Sequence, residues 1–128
     1  MGFLPPKDRE YLRDNKIQFE ECEEKGEKAI IFKSYPLPNG KFDANEVDIL
    51  VKLPSGYPNA KPDMFHLLPW VKLSSNDCYP RKADSSVKFN DEDWQRWSRH
   101  DFENPWRPGL DGIWTMLNLI KHALEEAE

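Results

Sequence analysis

A chain of 128 residues with 38% hydrophobic, 32% charged and 12% aromatic side chains has the size of one domain and too many large rings to be disordered. Its formal net charge of −5, with Lys and Arg interleaved among Asp and Glu and no basic run, argues against a nucleic-acid partner. Met1-Gly2-Phe3-Leu4-Pro5-Pro6-Lys7 holds no apolar run of signal or membrane-span length, Pro6 stands where a myristoylation signal needs Ser or Thr, and Cys22 and Cys78 lack metal-ligand spacing. The expectation is one domain over residues 1–128 in a reducing cytoplasm, with no membrane contact, no cofactor and no metal.

Residues 5–15 are predicted as a first helix, with Pro5 and Pro6 at its start, Asp8 and Glu10 in its first turn and Asn15 as its stop. Residues 17–22 and 28–34 read as two strands joined by Glu23-Glu24-Lys25-Gly26-Glu27, hence a hairpin; Cys22 alternates with Phe19 and is expected to pack in the core or at an edge. Tyr35-Pro36-Leu37-Pro38-Asn39-Gly40 is a loop by its Pro and Gly content. Across 46–53, Val47, Ile49, Val51 and Leu53 alternate with Glu46, Asp48 and Lys52, the pattern of a half-buried antiparallel strand. Pro58, Pro62 and Gly56 make 55–62 turn-rich. Residues 64–68 follow as a fourth strand, in which His66 alternates with Met64 and Leu68 and is expected to be packed and hydrogen-bonded. From 69 to 90 the alternation fails, and a long exposed excursion is expected. Pro108 and Gly109 lead into a helix over 110–126 with Leu110, Ile113, Leu117, Ile120 and Leu124 on one stripe, widened by Trp114 and Met116. The layout is α+β: an N-terminal helix, a four-stranded antiparallel meander, a long loop region and a closing C-terminal helix.

The chemistry concentrates in Trp94-Gln95-Arg96-Trp97-Ser98-Arg99-His100 and Trp106-Arg107-Pro108-Gly109. Large rings and forked donors at this density, beside the strongest helix, mark the candidate site. Arg96, Arg99, His100 and Arg107 can dock carboxylates or an extended peptide tail. Trp94, Trp97 and Trp106 are either binding anchors or core. The segment holds no cluster of His, Cys or carboxylates with metal-ligand spacing and no phosphate-binding glycine loop.

The order of parts resembles the ubiquitin-conjugating enzyme fold. Leu53-Pro54-Ser55-Gly56-Tyr57-Pro58-Asn59-Ala60-Lys61-Pro62-Asp63-Met64-Phe65 is similar to its Tyr-Pro…Pro segment, and Trp106-Arg107-Pro108 before an amphipathic helix is similar to its Trp-x-Pro step. With Leu4-Pro5-Pro6…Tyr11-Leu12 and the 94–109 run, the chain resembles a bacterial branch, prokaryotic ubiquitin-conjugating-like family E, over nearly its whole length. The resemblance implies a bacterial ubiquitin-like pathway whose components include an activating enzyme, a ubiquitin-like protein and a metal-dependent peptidase. It also implies that the first helix meets the activating enzyme, with Arg9, Tyr11, Leu12 and Lys16 as contact candidates. Ordinary members continue into two further helices, so a partner surface on those helices is not expected.

Conjugating enzymes hold the modifier as a thioester, because a thiolate is both a good nucleophile and a good leaving group. The position that the resemblance assigns to that cysteine, eight before Trp106, holds Ser98, and His-Pro-Asn occurs nowhere. Three arrangements remain open. Ser98 forms an oxyester with His100, two residues on, as base; or Cys78, flanked by Lys72, Arg81 and Lys82, swings in as nucleophile; or the domain has no nucleophile and only binds. The expected function is a non-standard component of a ubiquitin-like conjugation pathway that engages the activating enzyme and the modifier. The alternative is a catalytically inactive adaptor or binding module.

Overall fold

A computed structural model describes residues 3–62, 64–98 and 105–128. Helix α1 (Pro6–Asp14) starts on Pro5 and Pro6, whose missing N–H groups would have no intrahelical acceptor there, and ends at Asn15, whose N–H bonds the Tyr11 carbonyl. Strands β1 (Phe19–Glu24), β2 (Glu27–Pro36) and β3 (Glu46–Leu53) form the expected antiparallel meander. Strand β4 (Phe65–Leu68) adds to β3, and helix α2 (Ile113–Glu126) closes the described chain.

The sheet has six strands, not four, in the order β1-β2-β3-β4-β6-β5. The added pair, β5 (Ser85–Phe89) and β6 (Glu92–Trp97), comes from the end of the expected excursion and from the tryptophan-rich run. Its turn is Asn90-Asp91, both at positive φ (52° and 61°), the short-polar dipeptide that a two-residue hairpin demands. The remaining excursion, 69–84, is not simply exposed: Val71, Leu73 and Ala83 are buried. It is tied to 41–43 by the Phe42–Leu73 bridge and its flanking bonds, and from within by Gln95, fully buried, whose amide accepts from Val71 N–H (3.0 Å) and donates to the carbonyls of Val71 (3.0 Å) and Ala83 (2.8 Å). One side chain thus supplies the partners that a strand would otherwise have supplied.

The main core holds Leu12 of α1 and Ile113, Met116, Leu117, Ile120 and Leu124 of α2 together with Ile30, Phe32, Ile49, Val51, Phe65, Leu67 and Trp97 of the sheet. Leu110 does not join that stripe. It is 62% exposed in the turn before α2, which begins three residues later than its apolar spacing predicts. The opposite sheet face has its own small core of Ala29, Ile31, Leu50, Phe89 and Trp94. The β5–β6 hairpin supplies the last two, and its tip reaches β1, where Asn90 N–H donates to the Glu24 carboxylate.

Candidate functional site

The site is built where α1, the 54–62 connection and the 105–112 turn converge. Asp8 is 1% exposed. One carboxylate oxygen accepts the Tyr57 hydroxyl proton; the other lies 3.5 Å from the N–H of Ile113, the first residue of α2. A helix N-terminus presents unpaired N–H groups and a positive dipole end, and the cap position here is Gly112, which has no side chain to answer them. Asp8, from the other helix, supplies that acceptor. Gly112 is required by space: a Cβ there would lie 2.8 Å from Asp8 Oδ1 and 2.7 Å from the Trp114 ring. Burial raises the Asp8 pKa above the ordinary carboxylate value, against the bonds from Tyr57 and Ile113. Burial and donation to Asp8 hold the Tyr57 phenol far above its usual range.

The Tyr57 ring stands 6.4 Å from that of Trp106, and Trp106 Nε1–H donates to the Pro58 carbonyl at 2.8 Å. The next residue, Arg107, is tied to Asp111 through its backbone N–H (2.8 Å) and its guanidinium Nη2 (3.3 Å), while the Thr115 hydroxyl donates to the same carboxylate at 3.0 Å. Those donors hold Asp111 below the ordinary carboxylate range, the Arg107 N–H first among them. Beside this turn lies an open cavity of about 370 Å³ lined by Lys61, Pro105, Trp106, Arg107, Asp111, Thr115 and Leu119. Lys61, the Arg107 guanidinium that Asp111 orients, and the indole wall suit an extended peptide with carbonyl groups to satisfy, with Asp111 offsetting part of the positive charge.

Of the expected site residues, Trp106 and Arg107 meet here. Trp94 and Trp97 are buried, one in each core, so neither presents a ring at the surface. Trp97 stacks on Phe65 at 5.4 Å, and Trp94 Nε1–H donates to Phe89 O at 3.2 Å. Arg96 is half-buried, opposite His66 in the register, with Nε 3.2 Å from Met64 Sδ. Ser98 is half-buried just past β6, and its N–H donates to Lys82 O at 3.0 Å. The segment carrying Cys78 is therefore anchored four residues on to the Ser98 backbone. Cys78 itself is exposed in a tight turn, its thiol 3.4 Å from Asn76 O. Arg99 and His100 lie outside the described residues.

On α1, Leu12 is buried and so is not a surface contact, Arg9 is paired with Glu21, and Tyr11 packs on Trp114 at 6.0 Å; Lys16, in the turn just past the helix, is exposed. His66 is packed as expected, Nδ1 at 3.3 Å from Leu50 O, and burial lowers its pKa to about 4. Asp8, Tyr57 and Gln95 were not singled out from the sequence as functional. For Asp8 the available signal is an acid in the first turn of a helix whose Leu12, four residues on, is core. Nothing local announces Gln95. Among the described residues no group of His, Cys, Asp or Glu is arranged to hold a metal ion, and no helix is long and apolar enough to cross a membrane.

Compared with known proteins, the chain matches the family described as prokaryotic E2 family E over residues 4–127. It belongs to that family, whose E2-like character suggests a role in a bacterial ubiquitin-like conjugation pathway. No curated protein and no solved structure matches.

Proposed function

We propose that this member of prokaryotic E2 family E is a non-standard conjugation component that engages both the activating enzyme and the ubiquitin-like modifier. The observation that carries this reading is the Trp106-Arg107 step: an indole and a guanidinium, each fixed by named hydrogen bonds, flank an open cavity. Arg107 and Lys61 bind the carbonyls of the modifier's tail; Trp106 packs against it. Arg9 and Tyr11 on α1, with Lys16 just past its end, meet the activating enzyme, and Leu12 fixes the helix from beneath.

If the protein carries the modifier, Ser98 is the acceptor. Its hydroxyl oxygen attacks the carbonyl of the modifier thioester on the activating enzyme. The serine proton passes to His100 as base, the C–O bond forms, the C–S bond breaks, and His100 returns that proton to the departing sulfur, which leaves as the thiol. A binding-only adaptor is the second reading. It is favoured by the serine at the expected cysteine position and by the Cys78 thiol lying against Asn76 O rather than beside a base. The test is intact-protein mass after mixing with the cognate activating enzyme, its modifier and ATP. A gain of one modifier, cleaved by hydroxylamine and lost in Ser98→Ala but not Cys78→Ala, is the carrier result. No gain, alongside a stable complex with the charged activating enzyme, is the adaptor result. Neither adduct nor complex would overturn the proposal.

A further inference from the structure

We propose that Asp8 is a positioning residue for the Trp106-Arg107 step: its carboxylate grips Tyr57 with one oxygen and the N-terminus of α2 with the other, so the setting of α1 is imposed on the Trp106 indole. The inference rests on the reading of that step as the working part of the site. The two arms leaving Asp8 meet again. Through Tyr57 the first arm reaches the Trp106 ring at 6.4 Å and the Pro58 carbonyl that Trp106 Nε1–H bonds. Through Ile113 N–H the second reaches the opening turn of α2. There Gly112 N–H donates to the Thr115 hydroxyl, which in turn donates to Asp111, the residue that holds Arg107.

A carboxylate excluded from water is an expensive way to fasten three segments, since burial without full pairing costs free energy. An apolar contact between α1 and α2 would hold the helices together but would set no direction. Two oxygens with two fixed donors do set one: they define where Tyr57 and the start of α2 stand relative to α1. Gly112 leaves room for the carboxylate to approach. A partner that shifts α1 therefore shifts the floor on which Trp106 rests, which links the helix proposed to meet the activating enzyme to the step proposed to hold the modifier.

The groups facing the carboxylate are the Tyr57 hydroxyl from the connection and the Ile113 amide from α2. On its own helix Arg9 is paired with Glu21, and Arg107 and Asp111 before α2 are paired with each other. A titration at Asp8 is thus reported through Tyr57 and α2 rather than through a mobile ion pair.

The test is made on the free full-length protein by ¹⁵N–¹H spectroscopy of the indole N–H groups, with Trp106 assigned from Trp106→Phe. In Tyr57→Phe and Asp8→Ala, hydrogen exchange at Trp106 Nε1 should quicken roughly tenfold or more, the factor carried by one hydrogen bond's worth of opening. In Asp8→Asn it should stay near wild type, because the amide still accepts from Ile113 N–H and donates to the Tyr57 oxygen. The indoles of Trp70 and Trp94, bonded to Asp93 O and Phe89 O, are the control. A role confined to global stability would quicken all three together. On acidification the wild-type Trp106 resonance should move with a midpoint above the ordinary aspartate value, and in Asp8→Asn that movement should vanish. Trp106 exchange and titration unchanged in every variant, or quickened in step with the control indoles, would overturn the proposal. Because no partner is present, that failure leaves the pathway reading standing; loss of partner binding would remove the pathway reading and leave this coupling intact.

Discussion

His66 sits at the centre of the sheet, 4% exposed, with Leu50 across from it on one side and Arg96 on the other. Burial lowers its pKa from 6.5 to about 4, with Lys52 and Arg96 adding in the same direction and the Leu50 carbonyl and Glu27 opposing. Between those two values the unfolded chain binds a proton that the folded chain refuses. Stability is therefore complete above pH 6.5 and is lost as pH falls toward 4. At ~1.4 kcal/mol for each tenfold in proton affinity, the loss amounts to about 3 kcal/mol. The perturbation is His66→Asn, which keeps an amide near the Nδ1 position and cannot titrate. Urea unfolding from pH 7.5 down to 4 at fixed ionic strength reads it: the wild-type free energy should fall by about 3 kcal/mol more than that of the variant. Asp8, whose raised pKa gives the opposite slope just above its ordinary value, is common to both proteins and cancels in the difference. Parallel curves would refute the burial of a neutral imidazole as the cause.

Gln95→Leu should cost about 3 kcal/mol or more in urea unfolding, because it leaves Val71 N–H and the carbonyls of Val71 and Ala83 buried without their partner; a loss under 1 kcal/mol would mean that those three groups do not depend on the Gln95 amide. The two thiols should separate kinetically with a soluble disulfide reagent at pH 7.5. Cys78, exposed, should react in a fast phase that Cys78→Ser removes. Cys22, partly covered in the smaller core with its pKa raised by burial, should react at least about tenfold more slowly.

Much of the fold was legible because it is written in short-range patterns. The alternation of Val47, Ile49, Val51 and Leu53 marks β3 over its observed bounds, Glu46–Leu53, and the Ile113, Leu117, Ile120 and Leu124 spacing marks α2. The β5–β6 hairpin was missed because its pattern is confused by side chains serving distant parts of the chain. Trp94 and Arg96 face one core side while Gln95, a polar residue at an inward position, bonds a segment far away in sequence. Alternation scored by polarity cannot register that, although the Asn90-Asp91 turn could have. Leu110 misled in the opposite sense: its spacing fits the helix stripe, but Gly109 at φ 85° and the Arg107–Asp111 bonds turn the chain before the helix begins. The candidate site was legible as composition, in Trp106 and Arg107. Its supports were not, since Asp8 reaches Tyr57 and Ile113 across 49 and 105 residues and no local pattern encodes such a contact.

The most direct test of the central claim is calorimetric titration of the protein with its cognate activating enzyme, free and charged with the modifier. Saturable binding is predicted, with equal affinity for wild type and Ser98→Ala/Cys78→Ala, and with charged-enzyme binding weakened about tenfold or more by Trp106→Ala or Arg107→Ala. No binding of wild type to an activating enzyme shown to be charged, or binding indifferent to both of those substitutions, would contradict the claim.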